Sequence, residues 1–228
     1  MPRIGIVLSG CGVYDGAEIH EAVLSMYYLK KYGNELLIMA PNVEQAHVVN
    51  HLTGKVEEGQ KRNVLEESAR IARGNITDIA KVTVDDFDAL LFPGGFGAAK
   101  NLVSFAFDGA ECSINPDVKR LIKATVDAKK PLAAVCIAPV VVARALENSG
   151  IKAKLTIGNE EATAQAINDM GAEHIESPAK EVIIDAHHNI ITNPAYMLAA
   201  DIAEVGEAIK KTMQALSGMV SSNLSAGC

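Results

Sequence analysis

The sequence predicts a mainly parallel α/β fold with helices on both faces of the sheet, and three observations carry that expectation. Apolar runs of strand length alternate with segments of helical period along most of the chain, and each run closes on a break. The 228 residues, 49% apolar and 21% charged, are an ordinary globular mixture that can bury one core.

In chain order, the predicted central strands are Arg3–Ser9, Glu35–Ala40, Ala89–Phe92, Leu132–Val135 and Lys154–Ile157. The helices are Ala17–Tyr32, with Ile19, Ala22, Val23, Met26 and Leu29 in period, then Pro116–Ala128, Ile137–Asn148 and Glu160–Met170. The stretch from about 42 to 81 breaks the alternation. With its charged run Glu57–Asn63 and helical Val64–Arg73 it reads as an insertion, either a solvated excursion or a lid or subunit contact. Val182–Ile184 and Ile190–Thr192, around Asp185–Asn189, read as a hairpin. A last helix is expected from Ala195 to about Ser217, which gives one domain over 1–217 and a frayed Ser/Gly-rich tail over 218–228.

A net charge of −7 and a pI near 5.4 argue against nucleic-acid and anionic-membrane partners and favour small-molecule work. No export signal is expected from the first residues, and no run reaches the roughly 20 apolar residues of a spanning helix. Cys11, Cys112, Cys136 and Cys228 show neither CxxC spacing nor a Cys/His cluster. Reduced thiols in the cytoplasm, with no metal and no cofactor, are therefore expected.

Three segments could do chemistry. Cys136, in Ala-Ala-Val-Cys-Ile-Ala-Pro, ends a buried strand at the carboxyl edge of the sheet, where open α/β sheets place their ligands. Ala134 and Ala138 leave room for the sharp turn of a nucleophile elbow. A following helix N-terminus would favour thiolate and make the cysteine reactive at neutral pH. The alternative is a small buried hydrophobe.

Pro93-Gly94-Gly95 closes another strand. Its glycines let backbone amides face a ligand, so that Gly95 N–H and Ile137 N–H would form an oxyanion hole; a tight turn is the plain alternative. The loop from Gly10 enters the first helix with Glu18 in its first turn and Glu21 one turn on. Glu18 either serves the helix dipole or reaches toward the cysteine as a proton carrier. His20 and Cys11, the latter as a resolving thiol, are further candidates.

Pro-Gly-Gly-Phe-Gly-Ala-Ala-Lys-Asn-Leu, the Ala-Val-Cys-Ile-Ala-Pro elbow and the first-helix carboxylate resemble the PfpI-like superfamily, which includes class I glutamine amidotransferases. Ser9–Val23, Val49–Gly54, Arg62–Leu65, Ala69–Gly74 and Thr192–Leu198 resemble its ElbB-type branch, named for enhanced lycopene (isoprenoid) biosynthesis. The resemblance spans Ile4 to about Ala208. It implies a flavodoxin-like three-layer sandwich, often a homodimer, with Cys136 as nucleophile, Glu18 beside it and Gly95 as oxyanion donor. It also implies a glutathione-independent glyoxalase acting on small dicarbonyls.

Ile137 stands where peptidase-like members carry His, no His lies near Ile157-Gly158-Asn159, and His187-His188 falls in a predicted turn. A Cys-His dyad is thus not legible, which lowers the peptidase and amidotransferase readings. A redox-sensing thiol without turnover is the other alternative.

Overall fold

The structure, a computed structural model, describes residues 1–226, with side chains through residue 223. Its strands are β1 (Arg3–Val7), β2 (Glu35–Ala40), β3 (Val49–Asn50), β4 (Lys55–Val56), β5 (Thr77–Asp78), β6 (Ala89–Phe92), β7 (Leu132–Val135), β8 (Lys154–Leu155), β9 (Glu173–His174), β10 (Ile183–Asp185) and β11 (Ile190–Asn193). The helices are α1 (Ile19–Lys31), α2 (Val64–Ile71), α3 (Phe105–Asp108), α4 (Pro116–Asp127), α5 (Pro139–Leu146), α6 (Glu161–Asp169) and α7 (Ile202–Ala226).

Seven strands form the central sheet in the order β10-β11-β7-β6-β1-β2-β5, parallel except for β10, which pairs antiparallel with β11. The alternation of side chains along each strand splits the core into two layers. Leu90, Phe92, Leu132 and Ala134 pack with Val118 and Leu121 of α4 and Val140–Ala143 of α5. Ala89, Leu91, Ala133 and Val135 pack with Ala22 and Leu29 of α1 and Val205, Ile209 and Met213 of α7. The α/β sandwich expected from the pattern is what forms.

Three sequence expectations are corrected. Lys154–Ile157 is not a central strand: only Lys154–Leu155 is extended, and it pairs with β9 in a separate two-stranded sheet. The segment 42–81 is not one excursion. The β3–β4 hairpin stands apart, but Val64 of α2 is fully buried and β5 extends the main sheet beyond β2. The last helix starts later and runs further than expected. Ala195–Met197 makes a short 3-10 turn, and the α-helix starts only where the Asp201 carboxylate accepts the Ala203 and Glu204 N–H groups.

That helix continues past Ser217 because Val220 lies one turn beyond Leu216 on the buried face, and the Ser222 hydroxyl donates back to the Gly218 carbonyl. The expected frayed tail is therefore helical through Ala226, and Cys228 lies outside the described residues. Among the described residues, no helix is long and apolar enough to cross a membrane.

Candidate active site

The carboxyl ends of β1, β6, β7 and β11 converge on Cys136. Its backbone has φ +59°, in the left-handed region that a non-glycine residue enters only when its surroundings force it. The restraint is visible: Cys136 N–H donates to the Asn193 carbonyl at 2.9 Å, so the turn after β7 is clamped to the end of β11. Regular α5 begins only at Pro139, and residues 136–138 form a turn whose Ile137 N–H faces the sulfur.

Gly95 N–H faces Sγ as well. The expected pair of donors, Gly95 and Ile137, thus sits at the cysteine. The glycines of the Pro93-Gly94-Gly95 loop are there for contact. A Cβ on Gly94 would collide with Cys136 Cβ and come within 2.6 Å of Glu21 Oε2. Gly95, at φ +93°, lies against the Gly16–Glu18 backbone, and Gly94 O accepts the Glu18 N–H at 2.9 Å. The loop after β6 and the loop after β1 are pressed together with no room for a side chain between them.

The carboxylate against the thiol is Glu21. Glu18 is not in the first turn of α1 but caps it, its Oε2 accepting Glu21 N–H at 2.7 Å. A cap residue points along the helix end, so Glu18 lines the cavity in front of the sulfur while Glu21, one turn on, lies beneath it with no exposed surface. Glu21 accepts Gly94 N–H at Oε2 (2.9 Å), Tyr196 N–H at Oε1 (3.2 Å) and the Cys136 thiol.

Burial and then the Glu18 charge push the Glu21 carboxyl up to about 8 against these hydrogen bonds. Burial, then Glu21, also push the Cys136 thiol up, with the Gly95 and Ile137 amides opposing. The thiolate favoured at neutral pH that the sequence suggested is therefore reversed: desolvation outweighs the amides.

The cavity before Cys136 measures about 450 Å³. Val13, Phe96, Ala99, Phe105, Ala106, Ile137 and Met197 supply apolar wall, and Glu18, Thr163 and Tyr196 its polar points. Tyr196 escaped the sequence reading. Its signal was topological, because β11 runs parallel beside β7 with Asn193 opposite Val135, and whatever follows β11 must flank Cys136.

His20 does not reach the thiol. Its Nδ1 meets the Tyr196 hydroxyl at 2.7 Å and stands 3.9 Å from Glu18 Oε1, at the outer side of the site. Cys11 lies among Glu67, Arg70, Asp15 and Arg62, and it and Cys136 are both free thiols. His188 is held by Asp185 at 2.8 Å, at the end of β11 that pairs with the start of β7, the far end of the sheet from Cys136.

The similarities to known proteins agree with this geometry. A human protein, glutamine amidotransferase-like class 1 domain-containing protein 3, mitochondrial, is 46% identical over 204 residues, covering 86% of this chain and 75% of its own. The solved structure of an isoprenoid biosynthesis protein with an amidotransferase-like domain, from Ehrlichia chaffeensis, is 37% identical with TM-score 0.87, covering 95% of this chain and 99% of its own. Glyoxalase III of Candida albicans, 14% identical with TM-score 0.61 and covering 95% and 96%, shares the fold. Residues 12–199 match the DJ-1/PfpI family, and with an elbow cysteine held between the loops after β1 and β6 the chain belongs to that family.

Proposed function

We propose that this protein is a cofactor-independent glyoxalase of the ElbB type, converting an α-oxoaldehyde to a 2-hydroxy acid through a hemithioacetal on Cys136. The observation that carries the reading is the division of labour between two carboxylates. Glu21 lies under the sulfur, and Glu18 lies in the cavity wall.

Ionised Glu21 takes the thiol proton as Sγ adds to the aldehyde carbon. The C–S bond forms, the carbonyl π electrons move to oxygen, and the Gly95 and Ile137 amides supply donors for that oxyanion until Glu21 returns the proton. Glu18, whose Oε2 is committed to capping α1 and whose Oε1 is not, then takes the proton from the first carbon and delivers it to the second. The hydroxyl proton passes from the first oxygen to the second, which leaves a thioester of the 2-hydroxy acid. Water cleaves this thioester, releasing the acid and restoring the thiol.

The rival readings fit less well. A redox-sensing cysteine is accessible and acidic, whereas Cys136 is 8% exposed and shifted upward. Amide hydrolysis calls for a base histidine on the sulfur, and none is among the groups acting on Cys136. The cytoplasmic site of action expected from the sequence belongs to this reading, beside a human relative whose name places it in mitochondria.

The test is consumption of methylglyoxal by purified protein without glutathione, with lactate as the measured product and Cys136→Ala in parallel. Lactate formed only by the unmodified protein supports the reading. Absence of lactate while iodoacetamide still labels Cys136 sinks it.

A further inference from the structure

We infer that the aldehyde accepted at Cys136 carries an uncharged apolar tail about as large as a six-carbon chain or a phenyl ring, and that a three-carbon dicarbonyl is a minimal substrate. The inference deepens the reading above, since it places an aldehyde carbon at Sγ.

Volume is the first ground. A cavity of about 450 Å³ is of the size that encloses drug-sized ligands, and it would otherwise hold on the order of fifteen waters at about 30 Å³ each. A three-carbon molecule bonded to Sγ leaves most of that space wet.

The wall chemistry is the second ground. At the Cys136 end the Gly95 and Ile137 amides face the sulfur, and the polar points of the rest of the wall are Glu18, Thr163 and Tyr196. Val13, Phe96, Ala99, Phe105, Ala106 and Met197 make most of the remaining wall, which is apolar. Water against such a surface is released when an apolar tail replaces it.

Charge is the third ground. Among the described residues, no lysine or arginine lines the cavity, and the one acidic wall residue, Glu18, repels anions. Lys100, the nearby cation, is not among the lining residues and is tied down, with Nζ on the Tyr14 carbonyl at 3.0 Å and over the Phe96 ring. A substrate whose tail bears carboxylate or phosphate, a free amino acid included, finds no counter-ion in this wall to offset its desolvation.

The experiment reads binding apart from turnover. The unmodified protein is treated with iodoacetamide in the presence of propanal, butanal, pentanal or hexanal, and of succinic semialdehyde as the anionic probe. Labelling is quantified at the Cys136 peptide. Reversible hemithioacetal formation protects the thiol, and each added methylene is expected to lower the half-protecting concentration about fourfold, so hexanal protects roughly sixtyfold better than propanal. Succinic semialdehyde is expected to protect no better than propanal.

Ala106→Trp, at an exposed position on the cavity wall, is expected to shrink the ratio of hexanal to propanal protection toward one. If that variant fails to fold, the aldehyde series on the unmodified protein decides alone. A flat series, or best protection by the anion, overturns the inference. A graded series without turnover of any α-oxoaldehyde leaves the inference standing and rejects the glyoxalase reading, whereas turnover with a flat series does the reverse.

Discussion

Two buried glutamates, each beside a cysteine at the carboxyl edge of the sheet, have opposite surroundings. Glu67 on α2 neighbours Cys11 and is gripped by Arg70, whose Nε and Nη2 donate at 2.8 and 3.2 Å, and by Arg62 at 3.3 Å. Glu21 on α1 neighbours Cys136 and has no cation; its partners are two backbone amides and the thiol. With counter-ions a buried carboxylate is a structural tie, and without them it becomes a proton reservoir near neutral pH. Burial alone does not mark a working carboxylate. Burial without charge compensation does.

Replacing Cys136 by Ala should abolish turnover, a loss of at least roughly a thousandfold, with melting temperature little changed. Replacing Cys11 by Ser should leave kcat/KM as it was. Equal losses in the two variants would erase the contrast between the two corners.

Glu21→Gln should cost turnover about a hundredfold or more. In the unmodified protein kcat/KM should climb about tenfold per pH unit and level off above about 8, where Glu21 is ionised. A profile already flat at pH 6 would sink that assignment.

The same group fixes a stability slope. Its folded pKa of about 8 lies above the ordinary 4.5, so its contribution is fully present below 4.5 and is lost as pH rises through 8. That loss is on the order of 5 kcal/mol for a group with no exposed surface. Thermal melts from pH 5 to 9 should fall for the unmodified protein and flatten in Glu21→Gln.

Gly94→Ala should lower turnover roughly a hundredfold by displacing Cys136 and Glu21 from each other. Gly33→Ala, at φ +82° with open space around it, should cost only about 1 kcal/mol of backbone strain and no activity. The smallest effect should come from Glu67→Gln, which loosens the two arginine contacts by about 1 kcal/mol, read in urea melts, and leaves turnover unchanged.

The sequence showed the sheet because β1, β2, β6 and β7 are apolar runs in a regular alternation, and it showed Cys136 and the Gly95 amide because both end such runs. Glu18 and Glu21 were harder to tell apart. The choice depends on whether α1 begins before or after Glu18, and a boundary shift of two residues turns a first-turn carboxylate into a cap. Reading α1 through its buried face would have favoured Glu21, since it shares that face with Ala22, Ser25 and Leu29. Tyr196 stayed hidden because its role depends on β11 lying beside β7, a pairing between distant segments that no local period encodes. The later start of α7 was missed for a smaller reason: Asn193 fixes the Ala195 N–H with its side chain and holds the chain in a turn where propensity favours a helix.

The clamp between Cys136 N–H and the Asn193 carbonyl has a consequence for how the molecule is made. The thiol, its carboxylate, its amide donors and the Tyr196 N–H come from four stretches separated by most of the chain, so they meet only when β1, β6, β7 and β11 lie side by side. Pairings of that span form late in folding. A chain emerging from the ribosome exposes Cys136 long before Asn193 and Tyr196 arrive, and until then the sulfur is an ordinary open thiol. The rate at which it disappears from reach of a bulky thiol reagent is therefore a clock for the completion of the fold.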